Sequence, residues 1–120
     1  AEGAQVILAD ILDKEGQALA ESIGATYEHL DVSSEKEWQQ LTDKLKSKFG
    51  HLDILFNNAG IIGERHLGPQ DPENTTLEAW QYIHKVNLDG VFLGCKQAIA
   101  LMKARIDKSY YQAPLILDAF

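Results

Sequence analysis

Apolar residues occur along this chain in short bursts separated by longer, spaced patterns. Gln5–Ala9 is a Val/Ile/Leu run between Gly3 and Asp10. Being apolar on both faces, it suits a buried strand of a parallel sheet. Asp13 to Ile23 reads as a helix, with Leu19 and Ile23 four apart and Gly24 as its C′ stop. Thr26 to Leu30 is a second short strand, followed by Asp31-Val32. Ser34-Glu35-Lys36-Glu37 is a capping box, and Trp38, Leu41 and Leu45 then share one helical face. Lys44, Lys46 and Lys48 complement the dipole at the end of that helix, and Gly50 closes it.

The next stretch, His51 to Gly60, organises the chain. Ile54–Phe56 reads as a fully buried central strand that stops at Asn57, Asn58, Ala59 and Gly60. Ligands of open α/β sheets bind beyond the carboxyl ends of parallel strands, where these amides would stand. A plain turn is the competing account, since Asn and Gly are ordinary turn residues. Ile61 to Asn74 is a loop whose length suggests a role over a ligand site. Thr75-Thr76-Leu77-Glu78 reads as a second capping box, Thr75 to Glu78, opening one long helix from about Leu77 to about Lys103. Trp80, Ile83, Val91, Ala98 and Met102 can share its apolar side. Gly90, Gly94 and Ala98 would let it approach a sheet or a partner helix closely. The whole pattern predicts an α/β fold with a parallel sheet.

Composition narrows the function classes. The chain has 120 residues, 45% of them hydrophobic, enough for one modest domain. A net charge of −7 argues against a nucleic-acid surface. No apolar run approaches the roughly 20 residues a membrane span needs, and no signal peptide is visible. Cys95 is the single cysteine, which accords with a reducing cytoplasm. The chain opens without Met and enters a strand almost at once, as a piece taken from within a domain would.

Few residues carry candidate chemistry. Asp10, at a strand end, either caps the following helix or accepts hydrogen bonds from a ribose diol. A carboxylate there would repel a 2′-phosphate and favour NAD(H) over NADP(H). Asp31 is either a turn residue or an adenine contact. Asn87 sits inside a periodic helix although Asn is a mediocre helix former. It is either a simply hydrogen-bonded Asn or one that holds a water in a proton relay. Cys95, His29, His51, His66 and His84 have no metal-ligand spacing. Tyr82 and Lys85 form YxxK and read as packing and surface residues.

Four stretches together resemble the classical short-chain dehydrogenase/reductases: Ile7-Leu8-Ala9-Asp10, Leu30-Asp31-Val32, Asp53 to Gly60, and Val86-Asn87-Leu88-Asp89-Gly90-Val91-Phe92. The resemblance runs from about Gly3 to about Met102 and implies a Rossmann-type α/β fold, here an incomplete, doubly wound parallel sheet between two layers of helices. It implies hydride exchange between a nicotinamide and a carbonyl or secondary alcohol, with a Tyr as general acid/base. It implies that Asp10 holds the adenosine ribose, that Ile11 flanks the adenine, and that Asp31 and Val32 line the adenine pocket. Asn58, Ala59 and Gly60 would pack along the cofactor. Asn87 would be the fourth member of a catalytic Asn-Ser-Tyr-Lys set. Pairing of two copies through the long helix is also implied.

The departures are equally definite. The family's TGxxxGxG turn would precede Ala1, and no Gly-rich phosphate motif occurs in the chain. After about Ala104 the resemblance ends. Ser109, Tyr110 and Tyr111 lack a Lys four residues after either Tyr, so no catalytic Ser, Tyr or Lys is assigned. The reading is therefore a partial dinucleotide-binding domain over residues 1–120, with a divergent tail at 105–120 that has room for one further strand. The isolated chain is expected to lack dehydrogenase activity; a non-catalytic nucleotide-binding or protein-association fragment is the alternative. Without the family's first strand, a slot would open between the Gln5–Ala9 and Asp53–Phe56 strands. Pro114-Leu115-Ile116-Leu117 can fill that slot or take the family's next position beside the central strand. The usual crossover favours the second.

Overall fold

The computed structural model describes residues 3–63, 68–69, 71–106 and 115–119. Four strands pair in parallel: β1 (Gln5–Asp10), β2 (Thr26–His29), β3 (Ile54–Asn57) and β4 (Leu115–Ala119). Their order across the sheet is β2-β1-β4-β3. Helices α1 (Asp13–Ile23) and α2 (Glu35–Lys48) follow β1 and β2. After β3 come α3 (Leu77–His84), a π-helical turn (Lys85–Asp89) and α4 (Gly90–Ile106).

Alternation along β1 sorts the helices onto two faces. Ile7 and Ala9 join Trp38, Leu41, Leu93 and Leu101 in the main core, so α2 and α4 cover that face. Leu8 points the other way, in register with Tyr27. The Tyr27 ring lies against Gly16 of α1, where a Cβ would collide with it. The result is the expected three-layer, doubly wound α/β arrangement. Close approach across the core depends on two glycines of α4. A Cβ on Gly90 would come within 2.9 Å of Val32 Cγ2, and one on Gly94 would strike Asn57 Oδ1. The small-residue spacing of this helix therefore serves packing inside the domain.

Strand β4 departs from expectation. It fills the slot between β1 and β3 and does not lie on the outer side of β3. In the slot it pairs on both sides, from Gln5↔Leu115 to Ala9↔Ala119 and from Ile54↔Ile116 to Asn57↔Ala119. On the outer side it would satisfy one edge and leave two open, and unpaired backbone groups are costly. Both ends of the slot are also tied. The Asp53 carboxylate accepts from Leu115 N at 2.7 Å, and Ala119 O accepts from Asn58 N at 2.9 Å. The topological consequence is a reversed crossover. The steps β1-to-β2 and β2-to-β3 run in opposite directions on opposite faces, so they share one hand. The step β3-to-β4 runs in the direction of the first on the face of the second, and has the other hand. Such a step is rare, because about 98% of these crossovers are right-handed.

Other expectations also change. β3 is an edge strand rather than a central, fully buried one, and Ile54 and Phe56 are exposed on the α1 side of the sheet. In α1, Gly16 and Ala20 are buried while Leu19 and Ile23 stay exposed, because the tight approach to Tyr27 admits only small side chains. Gly24 does stop that helix in a left-handed conformation, φ 71°. Ser34 caps α2 by accepting from Glu37 N, but the Glu37 carboxylate turns to Asp31 N instead of completing the box. Thr76, not Thr75, caps α3 by accepting from Ala79 N; the Thr75 hydroxyl donates to Asp71 O. The single long helix is broken by the π turn, and Trp80 is exposed rather than part of the core.

Candidate functional site

The carboxyl ends of β1, β2 and β3 open on one side of the sheet, and a cleft of about 350 Å³ forms there against the helix. Asp10, Ile11 and Leu12 bring β1 to it. Leu30 to Ser33 continue from β2, Ala59 to Ile61 from β3, and Tyr82 and Val86 close the helical side. Six of the seven residues expected to line a cofactor site, Asp10, Ile11, Asp31, Val32, Ala59 and Gly60, therefore share one cavity. Asn58 lies exposed beyond β3, outside that lining. A larger cavity of about 630 Å³ lies between α3 and the preceding loop, lined by Pro72, Thr76, Trp80, Ile83 and His84. It holds none of the expected site residues.

Hydrogen bonds hold the cleft's polar groups in place. Asp10 is buried, and its Oδ1 accepts from Leu12 N at 2.8 Å, which turns the chain out of β1. It does not cap α1, whose N-terminus has no side-chain cap. The Asp10 carbonyl accepts from the Tyr27 hydroxyl at 2.6 Å and from Leu30 N at 3.0 Å, tying the ends of β1 and β2 together. Asp31 Oδ1 accepts from both Ser33 N and Ser33 Oγ, so Asp31 is a turn residue whatever else it does. Beside the cleft, His29 Nδ1 lies 2.7 Å from Asp13 Oδ1. That hydrogen bond raises the His29 pKa and, with a second bond from Tyr27, lowers that of Asp13. Burial raises the Tyr27 pKa, and its bond to Asp13 adds to the effect. Among the described lining residues there is no cation, and there are two carboxylates, Asp10 and Asp31.

Asn87 sits in the π turn, an uncommon feature that recurs at functional sites. Its side chain reaches across to the loop after β3. Ile61 N donates to Asn87 Oδ1 at 2.8 Å, and Asn87 Nδ2 donates to Ile61 O at 2.7 Å. This two-way clamp fixes the segment that forms one wall of the cleft. The amide retains one donor and one acceptor position for a further partner. Asn87→Ala should cost on the order of 1 kcal/mol of stability, because both bonds of the clamp are exposed and water can replace them. It should also accelerate hydrogen exchange at the Ile61 amide. An unchanged exchange rate and melting temperature would show that the clamp contributes nothing.

Sequence reasoning missed two of these features. Tyr82 enters the cleft although its YxxK context suggested surface packing. The Asn87–Ile61 pairing joins residues far apart in sequence, and only the low helix propensity of Asn hinted at it. Arg65, His66, Ser109, Tyr110 and Tyr111 lie outside the described residues. Among the described residues, no group of His, Cys, Asp or Glu is placed to hold a metal ion. No described helix is long and apolar enough to cross a membrane.

Comparison with known proteins converges on one group. Residues 1–110 match the family model described as enoyl-(acyl carrier protein) reductase. The chain is 43% identical over 105 residues to 3-alpha-(or 20-beta)-hydroxysteroid dehydrogenase of Mycobacterium bovis, covering 86% of this chain and 38% of that protein. It is 46% identical over 102 residues to tropinone reductase-like 2 of Erythroxylum coca, covering 83% and 37%. Among solved structures, a short-chain dehydrogenase/reductase of Brucella melitensis described as a glucose/ribitol dehydrogenase superposes with a TM-score of 0.72 at 28% identity. That match covers 83% of this chain and 40% of the other. The chain thus spans about two fifths of the length of the proteins it matches.

Proposed function

The chain belongs to the short-chain dehydrogenase/reductase family, and from that premise we propose that it is the adenosine-binding part of an NAD(H)-preferring oxidoreductase. The substrate class is a carbonyl compound or secondary alcohol. The family implies a nicotinamide cofactor. The choice of NAD(H) rests on one observation: two carboxylates and no cation border the cleft among its described lining residues. Asp10 Oδ1 is committed to Leu12 N, which leaves Oδ2 to accept from a ribose hydroxyl. A 2′-phosphate at that position would meet negative charge with nothing to offset it. The cleft's volume and its mix of apolar wall and placed carboxylate suit a nucleoside.

When bound, the nicotinamide would supply the hydride chemistry. The chain's own part is to seat the adenosine end. Asp10 orients the sugar, Ile11 and Val32 shield the base from water, and the backbone at Ala59 and Gly60 admits close approach. Asn87 is a positioning residue in this reading. It holds Ile61 and keeps hydrogen-bonding capacity for a water in a proton relay. No Ser, Tyr or Lys of the reaction is assigned, so residues 1–120 alone, a partial dinucleotide-binding domain, should show no turnover. Association of two copies through the long helix is also part of the proposal. Leu88, Phe92 and Ile99 form an exposed apolar stripe along the π turn and α4, which suits such pairing. A cytoplasmic setting accords with the single thiol of Cys95.

Titration with NADH and NADPH tests the central point. NADH should bind at least about tenfold more tightly, and Asp10→Asn should narrow that gap, because one charged contact is worth on the order of 1–3 kcal/mol. Equal binding, or tighter binding of NADPH, would overturn the assignment.

A further inference from the structure

His29 is exposed at the end of β2, and the charged groups acting on it are all acids: Asp13 from α1, Glu37 from α2 and Asp31 from the turn after β2. Its Nδ1 lies 2.7 Å from Asp13 Oδ1. A carboxylate only accepts, so Nδ1 carries a proton whether the ring is neutral or charged. The atom that gains and loses a proton is therefore Nε2, and it faces Glu37 Oε2 at 3.8 Å. That same oxygen accepts from Asp31 N at 2.7 Å. Asp31 and Ser33 line the cleft, and the Asp31 carboxylate organises their turn. Tyr27 is the other titratable group of the cluster. It donates to Asp13 Oδ1 at 2.8 Å, and with its pKa raised it stays a neutral phenol.

We propose that His29 is a proton-operated latch on the β2 side of the cleft. Protonated, it bridges Asp13 and Glu37 and holds Glu37 on the Asp31 amide. Neutral, its Nε2 lone pair faces the carboxylate, the bridge to α2 is lost, and Glu37 leaves Asp31 N more readily. One proton thus couples α1, β2 and α2 to the turn that borders the cleft. The latch does not depend on what the cleft binds. The hydrogen bond to Asp13 raises the His29 pKa above the ordinary 6.5. The latch is therefore closed and stabilising below that pH, and it opens as pH rises through the folded value.

The test is an NMR titration of the chain with pH, following the His29 ring protons and the Asp31 amide. The Asp31 amide resonance should move with the midpoint of the His29 ring. Its protection from hydrogen exchange, taken relative to the unstructured rate at each pH, should fall by up to about fivefold as the ring deprotonates, the range of an exposed ion pair. Both changes should vanish in His29→Gln and in Glu37→Gln. The second variant separates the latch from a plain field effect: its side-chain amide can still accept from Asp31 N but has no charge for His29 to hold. A step at Asp31 that survives in Glu37→Gln would show His29 acting on Asp31 directly and would overturn the latch. An Asp31 amide that ignores the His29 midpoint would overturn it too. If either variant fails to fold, the parent chain decides, since protection at Asp31 that stays constant across the His29 midpoint rules the latch out.

Discussion

Trp38→Ala should remove a large share of the stability of this fold. Trp38 is fully buried, and it joins three parts of the molecule. Its Nε1 donates to Val32 O at 2.9 Å. Its six-membered ring lies where a Cβ on Gly94 would come within 3.1 Å. It also sits in the core with Ile7, Leu93 and Leu117, from two strands and a helix. Truncation of a buried Trp typically costs about 3–5 kcal/mol, against about 5–15 kcal/mol for a whole domain. The hole would not close easily, because Gly90 and Gly94 already bring α4 as near the sheet side as its backbone allows. Urea denaturation should show a large fall in midpoint at unchanged slope. A loss below about 1 kcal/mol would mean that the core relaxes around the hole. Because Val32 also borders the cleft, the same substitution should loosen the candidate site.

Asp118→Val should act in the opposite direction and stabilise the chain. Asp118 lies in β4, flanked in register by Leu8 and Phe56. Its Oδ1 is buried with no hydrogen-bond partner, and burial raises its pKa above the ordinary 3.8. An unsatisfied buried polar group costs about 1–3 kcal/mol, and Val suits a strand interior. The sign with pH follows. With its folded pKa raised, the native state holds more protons than the unfolded state between the two values. Stability from this group therefore falls as pH rises from 3.8 through the folded value, and the penalty is complete at neutral pH. The Asp13–His29 pair contributes separately. Asp13, lowered, loses its stabilising effect in acid, and His29, raised, loses its own as pH rises. Only the difference between the parent and Asp118→Val isolates Asp118. The variant should gain most at neutral pH and least in acid; a gain that does not vary with pH, or a loss, would contradict the account.

The elements were legible in the sequence because each is signalled locally. The apolar runs mark β1 and β3, Ser34 starts α2, and Gly24 in its left-handed conformation ends α1. The six site residues that the family resemblance implies share the cleft for a related reason. They stand at strand ends, and the parallel sheet brings strand ends together. What escaped was decided by competition between distant parts. The seat of β4 depends on two open edges outweighing the usual hand of a crossover, a balance invisible within residues 115–119. Leu19 and Ile23 have helical spacing, but which face α1 buries is set by the Tyr27 ring across from Gly16. Thr75 and Thr76 are equivalent by composition, and Asp71 decides between them by accepting from the Thr75 hydroxyl.

The seat of β4 also decides how the two halves of the sheet are joined. β2 and β1 make one half of the sheet, β3 the other, and only β4 joins the halves by hydrogen bonds. The first half closes through α1 alone and needs only neighbouring residues. Hydrogen bonding between the halves needs contacts such as that of Val6 with Ile116, nearly the whole length of the chain away. The entropy of closing so long a loop grows only slowly with its length, but the search for such contacts is slow. Residues 115–119 thus complete the hydrogen bonding of the sheet. Without them, β1 and β3 would each present a row of unpaired backbone N–H and C=O groups, a template for pairing with another chain.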